Sequence, residues 1–239
     1  MHLFYCPELV TNNDQHLLPP DESYHATNVL RLRAGDAIGV TDGAGHLYNA
    51  SLVEVHAKKC SFRIVEEVQQ KIRNRELHIA IAPTKNIDRF EWFLEKSTEI
   101  GIETVTPLLC RYSERKEVKP ERLSKVIVSA AKQSMHCRFP VLNPMISFKE
   151  FIAIAPDNVI KLIAHCEESN KTPIQQMLNH SENVIVLIGP EGDFSPEEIQ
   201  LAIDKGFKPV SLGESRLRTE TAALYATMAF NLSSDKDSF

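Results

Sequence analysis

Two segments in the last third of the chain decide the fold, and the first is Val184-Ile-Val-Leu-Ile-Gly-Pro-Glu-Gly-Asp-Phe194. The second is Val210-Ser-Leu-Gly-Glu-Ser-Arg-Leu-Arg-Thr-Glu-Thr-Ala222. In each segment a short apolar run passes through a glycine-bearing turn into a helical pattern. Short apolar runs of this kind are typical of buried parallel strands, and open α/β sheets bind ligands at the carboxyl ends of such strands. The two segments together therefore predict a ligand pocket made from two turns.

From residue 76 onward, strand patterns alternate with helix patterns. This alternation predicts an α/β domain with a mainly parallel sheet that is covered by helices on both faces. The predicted strands are 77–82, 104–109, 159–164, 184–188 and 208–212. Two helices are predicted at 88–100 and 220–232, and another begins at Pro120. Three more begin at the capping residues Ser147, Thr172 and Ser195, and the last of these ends at Gly206.

The first 70 residues show a different pattern, with little helix. Alternating apolar residues predict strands at 36–41, 47–53 and 61–65, and Asp42-Gly-Ala-Gly45 is typical of a turn between two strands. One short helix is predicted from Glu22 to Leu30. We therefore predict two domains, a small β-barrel at 1–70 and an α/β domain at 71–239, with the basic stretch 71–75 as a linker.

Charge is distributed unevenly along the chain. The net charge is −5, yet residues 71–138 hold 14 Lys and Arg against 9 Asp and Glu, a net of +5 that leaves −10 for the rest. This asymmetry indicates an anionic partner along one face, although a solvated surface rich in ion pairs would give the same count.

Other compositional features exclude several classes. The five cysteines are dispersed, which favours reduced thiols over a disulfide framework, and the nine histidines lack metal-ligand spacing, so we expect no metal. No apolar run is long enough to span a membrane, and the amino terminus lacks the pattern of a secretory signal. We expect a cytoplasmic protein.

The first turn lacks both common phosphate-binding patterns. Gly189 and Gly192 allow the backbone to turn sharply and to approach a ligand closely, but neither the P-loop nor the dinucleotide fingerprint is present. Glu191 and Asp193 would repel a phosphate. The turn therefore favours a neutral or cationic ligand, such as one that carries a sulfonium, unless it is an ordinary strand-to-helix connection.

The second turn places an arginine against an electrostatic preference. Thr219 is the predicted N-cap of the last helix, and Glu220 is favourable in its first turn. Arg218 at the same helix end is opposed by the helix dipole. Its position indicates a partner for the guanidinium, either a carboxylate, a phosphate or a developing anion.

The two glycine-bearing segments resemble those of a known family. The string Leu187-Ile-Gly-Pro-Glu-Gly-Asp-Phe-Ser195, followed by Ser211-Leu-Gly and Leu217-Arg-Thr-Glu-Thr-Ala222, is similar to the RsmE family of SPOUT-superfamily methyltransferases. The likeness covers nearly the whole chain, since His25 to Leu32, Gly35-Asp36 and Glu95 to Gly101 also match. It breaks after Ala131-Lys-Gln-Ser134, where the family usually continues with Gly-Arg and this chain has Met135-His-Cys-Arg138.

The resemblance implies a fold, a reaction and a partner. It implies a PUA-like β-barrel followed by a SPOUT domain with a trefoil knot, a homodimer, and transfer of a methyl group from S-adenosyl-L-methionine to N3 of a uridine in small-subunit (16S) ribosomal RNA. Arg218 would be catalytic by stabilising the anion that forms when N3 loses its proton, and Glu220 would assist it. The cofactor-binding residues would be His165, Glu167, Leu187, Ile188, Gly189, Pro190, Glu191, Gly192, Leu212, Gly213, Leu217, Arg218, Thr219 and Thr221.

Seven basic residues are candidates for contacts with RNA. Phosphate contacts by arginine and lysine would make RNA affinity fall steeply with added salt. The candidates are Arg31, Arg33, Lys85, Arg89, Arg111, Arg115 and Arg138.

Three alternatives stay open from the sequence. A related knotted methyltransferase could act on another ribosomal or transfer RNA position, and a non-catalytic RNA-binding protein could retain the barrel without turnover. A nucleotide-dependent dehydrogenase is the least favoured, because its glycine fingerprint is missing.

Overall fold

The computed structural model of the 239-residue chain describes residues 1–9, 15–69, 73–178 and 182–233. Its residues cluster into two compact units, residues 1–72 with 128–139 (unit 1) and residues 73–127 with 140–239 (unit 2). The predicted domain boundary between residues 70 and 71 lies outside the described residues, as do residues 71–72 of the predicted linker.

Unit 1 is built on a five-stranded sheet. Its strands run in the order β1-β3-β4-β5-β2, with β1 parallel to β3 and the other pairs antiparallel. The elements are β1 (Leu3–Tyr5), β2 (His16–Leu17), α1 (Pro20–Tyr24), a π-helical turn (His25–Val29), β3 (Ala37–Thr41), β4 (Leu47–Glu54) and β5 (Ser61–Val68). The predicted strands are confirmed, whereas β1 and β2 escaped prediction because two or three residues cannot show an alternation.

The predicted helix between Glu22 and Leu30 is present with different bounds. It begins at Pro20, where proline is favourable because its missing N–H would have no helical partner. After Tyr24 it widens into the π-helical turn, and the N–H of Leu30 donates to the carbonyl of His25 at 3.0 Å.

Residues 128–139 pack within unit 1, although the sequence pattern assigned them to the second domain. The Lys132 ammonium lies 2.5 and 2.7 Å from the two carboxylate oxygens of Glu22. The ring of Phe139 lies 4.8 Å from that of Tyr5, and its N–H donates to the carbonyl of Gly43. These contacts join residues far apart in sequence, so a local pattern could not have shown them.

Unit 2 is an α/β fold with an eight-stranded sheet. The order is β11-β13-β10-β12-β6-β7-β8, β9 also pairs with β7, and every pair is parallel. The strands are β6 (Leu77–Ile81), β7 (Thr104–Leu109), β8 (Val141–Leu142), β9 (Ile146–Ser147), β10 (Ile160–Ala164), β11 (Thr172–Pro173), β12 (Val184–Ile188) and β13 (Lys208–Ser211). The helices are α2 (Ile87–Ile100), α3 (Pro120–Gln133), whose residues from 128 onward belong to unit 1, α4 (Phe148–Ile154), α5 (Ile174–Met177), α6 (Pro196–Asp204) and α7 (Thr219–Leu232).

The central strands are apolar on both faces, as the sequence predicts. Alternate side chains of β12 enter two different core clusters, with Val186 and Ile188 in one and Ile185 and Leu187 in the other. The first cluster includes apolar residues of α2 and α7, and the second includes those of α4 and α6. The sheet is therefore covered on both faces, which confirms the predicted α/β architecture.

The predicted helix starts are right at two positions and wrong at a third. Ser147 and Ser195 each form a capping box, with Glu150 and Glu198 respectively. Thr172 is not a helix cap, because it belongs to β11 and pairs with β13, and α5 is a single turn that begins after Pro173. The backbone of Thr172 is paired with Val210 of β13 and is therefore not at the start of a helix.

The linker prediction fails for the described part of residues 71–75. Arg75 is buried, its guanidinium carbon lies 4.0 Å from the centre of the Phe230 ring, and its Nη2 donates to the Phe230 carbonyl at 2.5 Å. Arg73 donates to Asn231 on the same helix, at 2.6 Å. Residues 73–75 are therefore anchored to α7.

The last strand lies inside the sheet. β13 pairs with β10 on one side and with β11 on the other, and β10 and β11 are joined by residues 165–171. The chain therefore places a late strand between two earlier ones. The trefoil knot that the resemblance implies stays a prediction.

Candidate active site

A cavity of about 650 Å³ lies at the carboxyl ends of β10, β12 and β13. The parallel register aligns Ala164 with Ile188 on one side and with Val210 on the other, so the three following turns share one sheet edge. The lining consists of Ala164, His165, Cys166, Lys171, Ile188, Gly189, Pro190, Glu191, Asp193, Val210, Ser211, Leu212, Gly213, Glu214, Ser215, Arg216, Leu217, Arg218, Thr219 and Ala222.

The turn after β12, residues 189–195 (the β12 turn), is held by hydrogen bonds from side chains. Asp193 has a positive φ of 66°, and its Oδ1 accepts from the N–H of Phe194 at 2.8 Å. Its Oδ2 accepts from the N–H of Cys166 at 2.6 Å, which joins this turn to the one after β10. A Cβ on Gly189 would lie 3.1 Å from the Phe194 ring, a tight contact that glycine avoids.

The turn after β13, residues 212–218 (the β13 turn), is open to solvent. Gly213 has a φ of 109°, and the Ser211 hydroxyl bonds to its N–H and carbonyl. Arg216 and Arg218 are exposed while lining the cavity. The turn thus presents two guanidinium groups at the cavity.

The start of α7 differs from the prediction. Arg218, not Thr219, is the N-cap, and among the described residues its side chain makes no capping hydrogen bond. The Thr219 hydroxyl instead donates to the carbonyl of Gly189 at 3.1 Å, which fastens α7 to the β12 turn. Arg218 therefore stands at the positive end of the helix dipole without a structural role that would explain it there.

His165 is a buried histidine at the wall of the cavity. It is 9% exposed, and neither ring nitrogen has a hydrogen-bond partner among the described residues. Burial lowers the pKa of the imidazole, and the positive charge of Lys171 lowers it further. The Lys171 ammonium donates to the His165 carbonyl at 2.7 Å. A neutral imidazole with two unsatisfied nitrogens is a site for a polar ligand atom.

Glu220 does not line the cavity but is buried beside it, in the first turn of α7. Its Oε1 lies 3.9 Å from Nε of Arg89 on α2, and its Oε2 has no partner within the described ranges. A separation of 3.9 Å gives an ion pair without a hydrogen bond. The carboxylate thus retains capacity to accept a proton or a hydrogen bond.

The predicted cofactor-binding residues fall into two groups. Ten line the cavity: His165, Ile188, Gly189, Pro190, Glu191, Leu212, Gly213, Leu217, Arg218 and Thr219. Four do not: Leu187 packs in the core cluster with α4 and α6, Glu167 and Thr221 are exposed, and Gly192 faces Tyr112.

Four of the predicted RNA contacts belong to unit 2 and follow β6 or β7. The N–H of Lys85 donates to Glu191 at 2.9 Å, and its ammonium pairs with Glu114 at 2.7 Å. Arg115 donates to the carbonyls of Thr84 and Lys85, at 3.0 and 2.7 Å. Arg115 is therefore a brace between two loops as much as an RNA candidate. The other two in this unit are Arg89, described above, and the exposed Arg111.

The remaining three predicted RNA contacts belong to unit 1. Arg31 and Arg33 are exposed, and Arg31 has a positive φ of 56° that ends the turn before β3. Arg138 is exposed and pairs with Ala44 in an antiparallel bridge.

The sequence analysis missed the structural roles of Asp193 and Lys171 at the site. Asp193 was interpreted only as a repulsive charge, whereas it connects two cavity walls. Its position directly after Gly192 could have suggested a left-handed turn residue, because aspartate tolerates that conformation. Lys171 carried no local signal, since it reaches the site only through the path of residues 165–171.

The described residues support neither a metal site nor a membrane-spanning helix. In residues 1–9, 15–69, 73–178 and 182–233, no three His, Cys, Asp or Glu side chains come together as a metal site would need. Within the same ranges, every helix is too short or too polar to cross a membrane.

Comparisons with known proteins agree with this geometry. A family described as an RNA methyltransferase domain matches residues 71–231, and one described as an RNA methyltransferase PUA domain matches residues 18–65. A probable rRNA-methyltransferase from Porphyromonas gingivalis has a crystal structure that is similar over 98% of both chains, with a TM-score of 0.90 and 40% identity.

Two further proteins carry a more specific name. A ribosomal RNA small subunit methyltransferase E from Neisseria gonorrhoeae, solved bound to S-adenosyl methionine, is 28% identical with a TM-score of 0.88 over 97% of both chains. The protein of the same name from Rickettsia conorii is 27% identical over 94% of this chain and 92% of its own.

Proposed function

This chain belongs to the RNA methyltransferase family that includes the proteins named ribosomal RNA small subunit methyltransferase E, and from that premise we propose its reaction. The proposed reaction is the S-adenosyl-L-methionine-dependent methylation of N3 of a uridine in small-subunit ribosomal RNA. One observation carries the proposal: the cavity at the ends of β10, β12 and β13 places Arg218 on the wall of a pocket suited to that cofactor. A cytoplasmic location follows from the substrate.

The residues of the cavity fit S-adenosyl-L-methionine. A volume of about 650 Å³ is that of an ordinary small-molecule site. Its walls combine apolar side chains such as Leu212 and Leu217 with carboxylates and with the Lys171 ammonium, which suits a ligand that carries charges of both signs. The unpartnered nitrogens of His165 leave two positions for polar atoms of the ligand. The cofactor supplies an electrophilic methyl group on a sulfonium.

The neutral state of His165 favours a cationic cofactor. Burial disfavours protonation of the ring and so lowers its pKa. A protonated imidazole at this wall would repel a sulfonium or an ammonium group. The depressed pKa therefore supports cofactor binding near neutral pH.

Arg218 is the proposed catalytic residue. The N3 atom of uracil is a poor nucleophile while it carries its proton, and loss of that proton places negative charge on the ring carbonyls. A guanidinium at the wall can donate hydrogen bonds to such a carbonyl and stabilise the anion. Because the helix dipole opposes a cation at the Arg218 position, an approaching anion gains from both the guanidinium and the helix end.

Glu220 is the proposed partner in proton transfer. Its carboxylate is buried, and one oxygen is unpartnered among the described residues. Its other oxygen forms an ion pair with Arg89 on α2, so the unpartnered oxygen is the one available to take the proton from N3. Holding the acceptor base and aligning it with the methyl donor supplies much of the acceleration in a displacement of this kind.

The target base must leave its stack, because N3 lies on the Watson–Crick edge. The basic candidates that follow β6 and β7 belong to the same sheet edge as the cavity. Lys85 and Arg111 are exposed there. These side chains are the proposed phosphate contacts of unit 2, and Arg31, Arg33 and Arg138 are those of unit 1.

We further propose a homodimer, supported by apolar side chains on two packed helices of unit 2. Trp92 on α2 is 42% exposed, and Met228 and Leu232 on α7 are 47% and 68% exposed. Apolar side chains that two packed helices leave exposed can form an interaction surface. Light scattering should give twice the 27.0 kDa of the chain, and Met228→Glu should reduce this mass.

The reaction is tested by mapping the methylated nucleotide. Small-subunit ribosomal RNA from cells that lack this gene is incubated with the purified protein and S-adenosyl-L-methionine, and mass mapping locates the new methyl group. Methylation of one uridine at N3 supports the proposal. Methylation at another atom or in transfer RNA would assign a different RNA methyltransferase activity, and calorimetry without any heat from the cofactor would indicate a pure binding protein.

A further inference from the structure

Tyr112 is an exposed aromatic residue that lies against Gly192 of the β12 turn. It lies between β7 and α3, it is 47% exposed, and its hydroxyl has no hydrogen-bond partner in the part of the chain that the structure describes. The proposed reaction gives Tyr112 no role. A large aromatic ring that is neither core nor hydrogen-bonded is free to contact a ligand.

The β12 turn makes room for this residue. A Cβ on Gly192 would lie 3.1 Å from Cβ of Tyr112 and 3.8 Å from its Cγ. Gly192 stands between Glu191 and Asp193, which both line the cavity, although Gly192 does not. A side chain at position 192 would crowd Tyr112 and shift it relative to the β12 turn. The glycine that the sequence analysis assigned to the cofactor therefore serves the position of Tyr112.

The backbone that carries Tyr112 is held on both sides. The N–H of Ser113 donates to the Cys110 carbonyl at 3.1 Å, and the N–H of Cys110 donates to the Ser113 hydroxyl at 3.0 Å. The N–H of Arg111 donates to Glu198 at 2.8 Å. A ring on a fixed backbone loses little conformational entropy when a planar group stacks on it.

The surroundings of Tyr112 suit RNA. Arg111 beside it is exposed, and Lys85 is exposed on the neighbouring loop, where its N–H is bound to Glu191 of the β12 turn. Single-stranded RNA is bound by basic side chains that contact phosphates and by aromatic rings on which bases stack. Both kinds of group adjoin the β12 turn, since Lys85 is bonded to Glu191 and Tyr112 lies against Gly192.

We propose that Tyr112 is a stacking platform for a nucleobase of the RNA substrate, at the point where the acceptor strand enters the site. This inference rests on the proposed function. Tyr112 is a positioning residue: it holds the unstacked strand so that the acceptor uridine faces the cavity. Stacking uses the face of the ring, so the hydroxyl is dispensable.

The test compares three substitutions at this position. Tyr112→Phe keeps the aromatic face, Tyr112→Leu keeps apolar bulk without it, and Tyr112→Ala removes both. With full-length small-subunit ribosomal RNA as substrate, the KM for RNA should stay within about twofold for Phe and rise about tenfold for Leu and Ala, since stacking on one side chain is worth this much. Cofactor affinity should not change. Ile154→Ala, which alters an exposed apolar residue at the end of α4, is the control.

A second measurement detects the stack directly. A short oligouridine that contains one 5-iodouridine is irradiated with the protein, and the cross-linked peptide is identified by mass spectrometry. A cross-link at Tyr112 that persists in Tyr112→Phe supports the proposal. Because stacking is uncharged, the ratio of KM values between Tyr112→Leu and the unaltered protein should also be constant as salt is added.

The outcomes separate this inference from the proposed function. If the unaltered protein methylates the RNA and Tyr112→Leu has the same KM, the stacking role is wrong and the proposed function stands. A cross-link confined to residues other than Tyr112 also overturns it. If the unaltered protein transfers no methyl group, the proposed function fails, and the inference fails with it.

Discussion

The two turns that build the cavity differ in how they are held. The β12 turn is fixed by Asp193, whose carboxylate accepts from Phe194 and Cys166, by Glu191, which accepts from Lys85, and by the Thr219 hydroxyl on Gly189. The β13 turn has the Ser211 hydroxyl at Gly213, and most of its side chains are exposed. The β12 turn is therefore preorganised by hydrogen bonds, whereas the β13 turn presents exposed charged side chains to a ligand.

The largest expected effect comes from removing the charge of the open turn. Arg218→Ala should lower kcat by about 10²–10³, the usual effect of losing one donor to a developing anion. Arg216→Ala is the matched comparison, since it removes the same charge from the same turn. We expect less than about tenfold for it, because Arg216 precedes the N-cap by two residues whereas Arg218 is the N-cap. Calorimetry should show cofactor binding retained in both variants. Near-normal turnover of Arg218→Ala would remove the catalytic role.

The second effect tests the fixed turn. Asp193→Ala leaves two backbone N–H groups without their carboxylate, and we expect the free energy of unfolding to fall by about 2 kcal/mol. Glu214→Ala alters an exposed carboxylate of the β13 turn and should change it by less than about 0.5 kcal/mol. Denaturant unfolding measures both. Equal effects at the two positions would mean that the turns are not held differently.

The third test separates backbone conformation from side-chain bonding at Asp193. Met135 also has a positive φ, 61°, but it is the left-handed residue that ends α3, with the N–H of His136 bonded to the Ala131 carbonyl. Met135→Gly should raise the free energy of unfolding by about 0.5 kcal/mol, because glycine adopts this conformation without strain and loses part of the gain to entropy.

Asp193→Gly should instead destabilise, although by less than Asp193→Ala because glycine adopts the positive φ without strain. Glycine keeps the positive φ but cannot accept the two hydrogen bonds. The same replacement therefore has opposite signs at positions 193 and 135. A gain in stability at both positions would show that the Asp193 carboxylate contributes nothing.

The smallest expected effect is a dependence of the free energy of unfolding on pH, caused by His165 in the turn after β10. The pKa of His165 is lowered in the folded protein, so the unfolded chain takes up a proton near pH 6.5 while the folded chain does not. Stability should therefore decrease as the pH falls below about 6.5. In His165→Asn this part of the slope disappears, whereas the part from His78, whose pKa burial lowers to about 4, persists. Identical slopes in the two proteins would contradict the depressed pKa of His165.

Local patterns in the sequence predicted the main elements of unit 2 well. Strands such as 184–188 and capping boxes at Ser147 and Ser195 depend on neighbouring residues alone, and the structure confirms them. Thr219 was wrong as a cap, because its hydroxyl is used by Gly189, thirty residues earlier. Very short strands such as β11 could not be predicted, since two residues show no period and depend on a partner strand for their conformation.

Part of the geometry of the candidate site could be predicted from the sequence, whereas its ligands and the roles of its residues stay predictions. The two glycine-bearing turns do line one cavity, as expected from parallel strands that end at the same edge. The roles of Gly192 and Arg115 could not be predicted, because they depend on contacts with Tyr112 and with the carbonyls of Thr84 and Lys85. Residues that hold one loop against another are of the same types as residues that bind RNA, so the sequence does not distinguish the two roles.

The sequence by itself determined the elements whose causes are local: apolar periods, capping residues, glycine turns, and the motifs that identify the family. Only the tertiary structure decided which turns are braced, that residues 128–139 pack in unit 1, that Glu220 pairs with Arg89, and that Tyr112 rests against Gly192. The physical reason is that a helix or strand is specified by residues within a few positions of one another. A contact between two loops or a buried ion pair depends on residues that are distant in sequence and come together only when the sheet assembles.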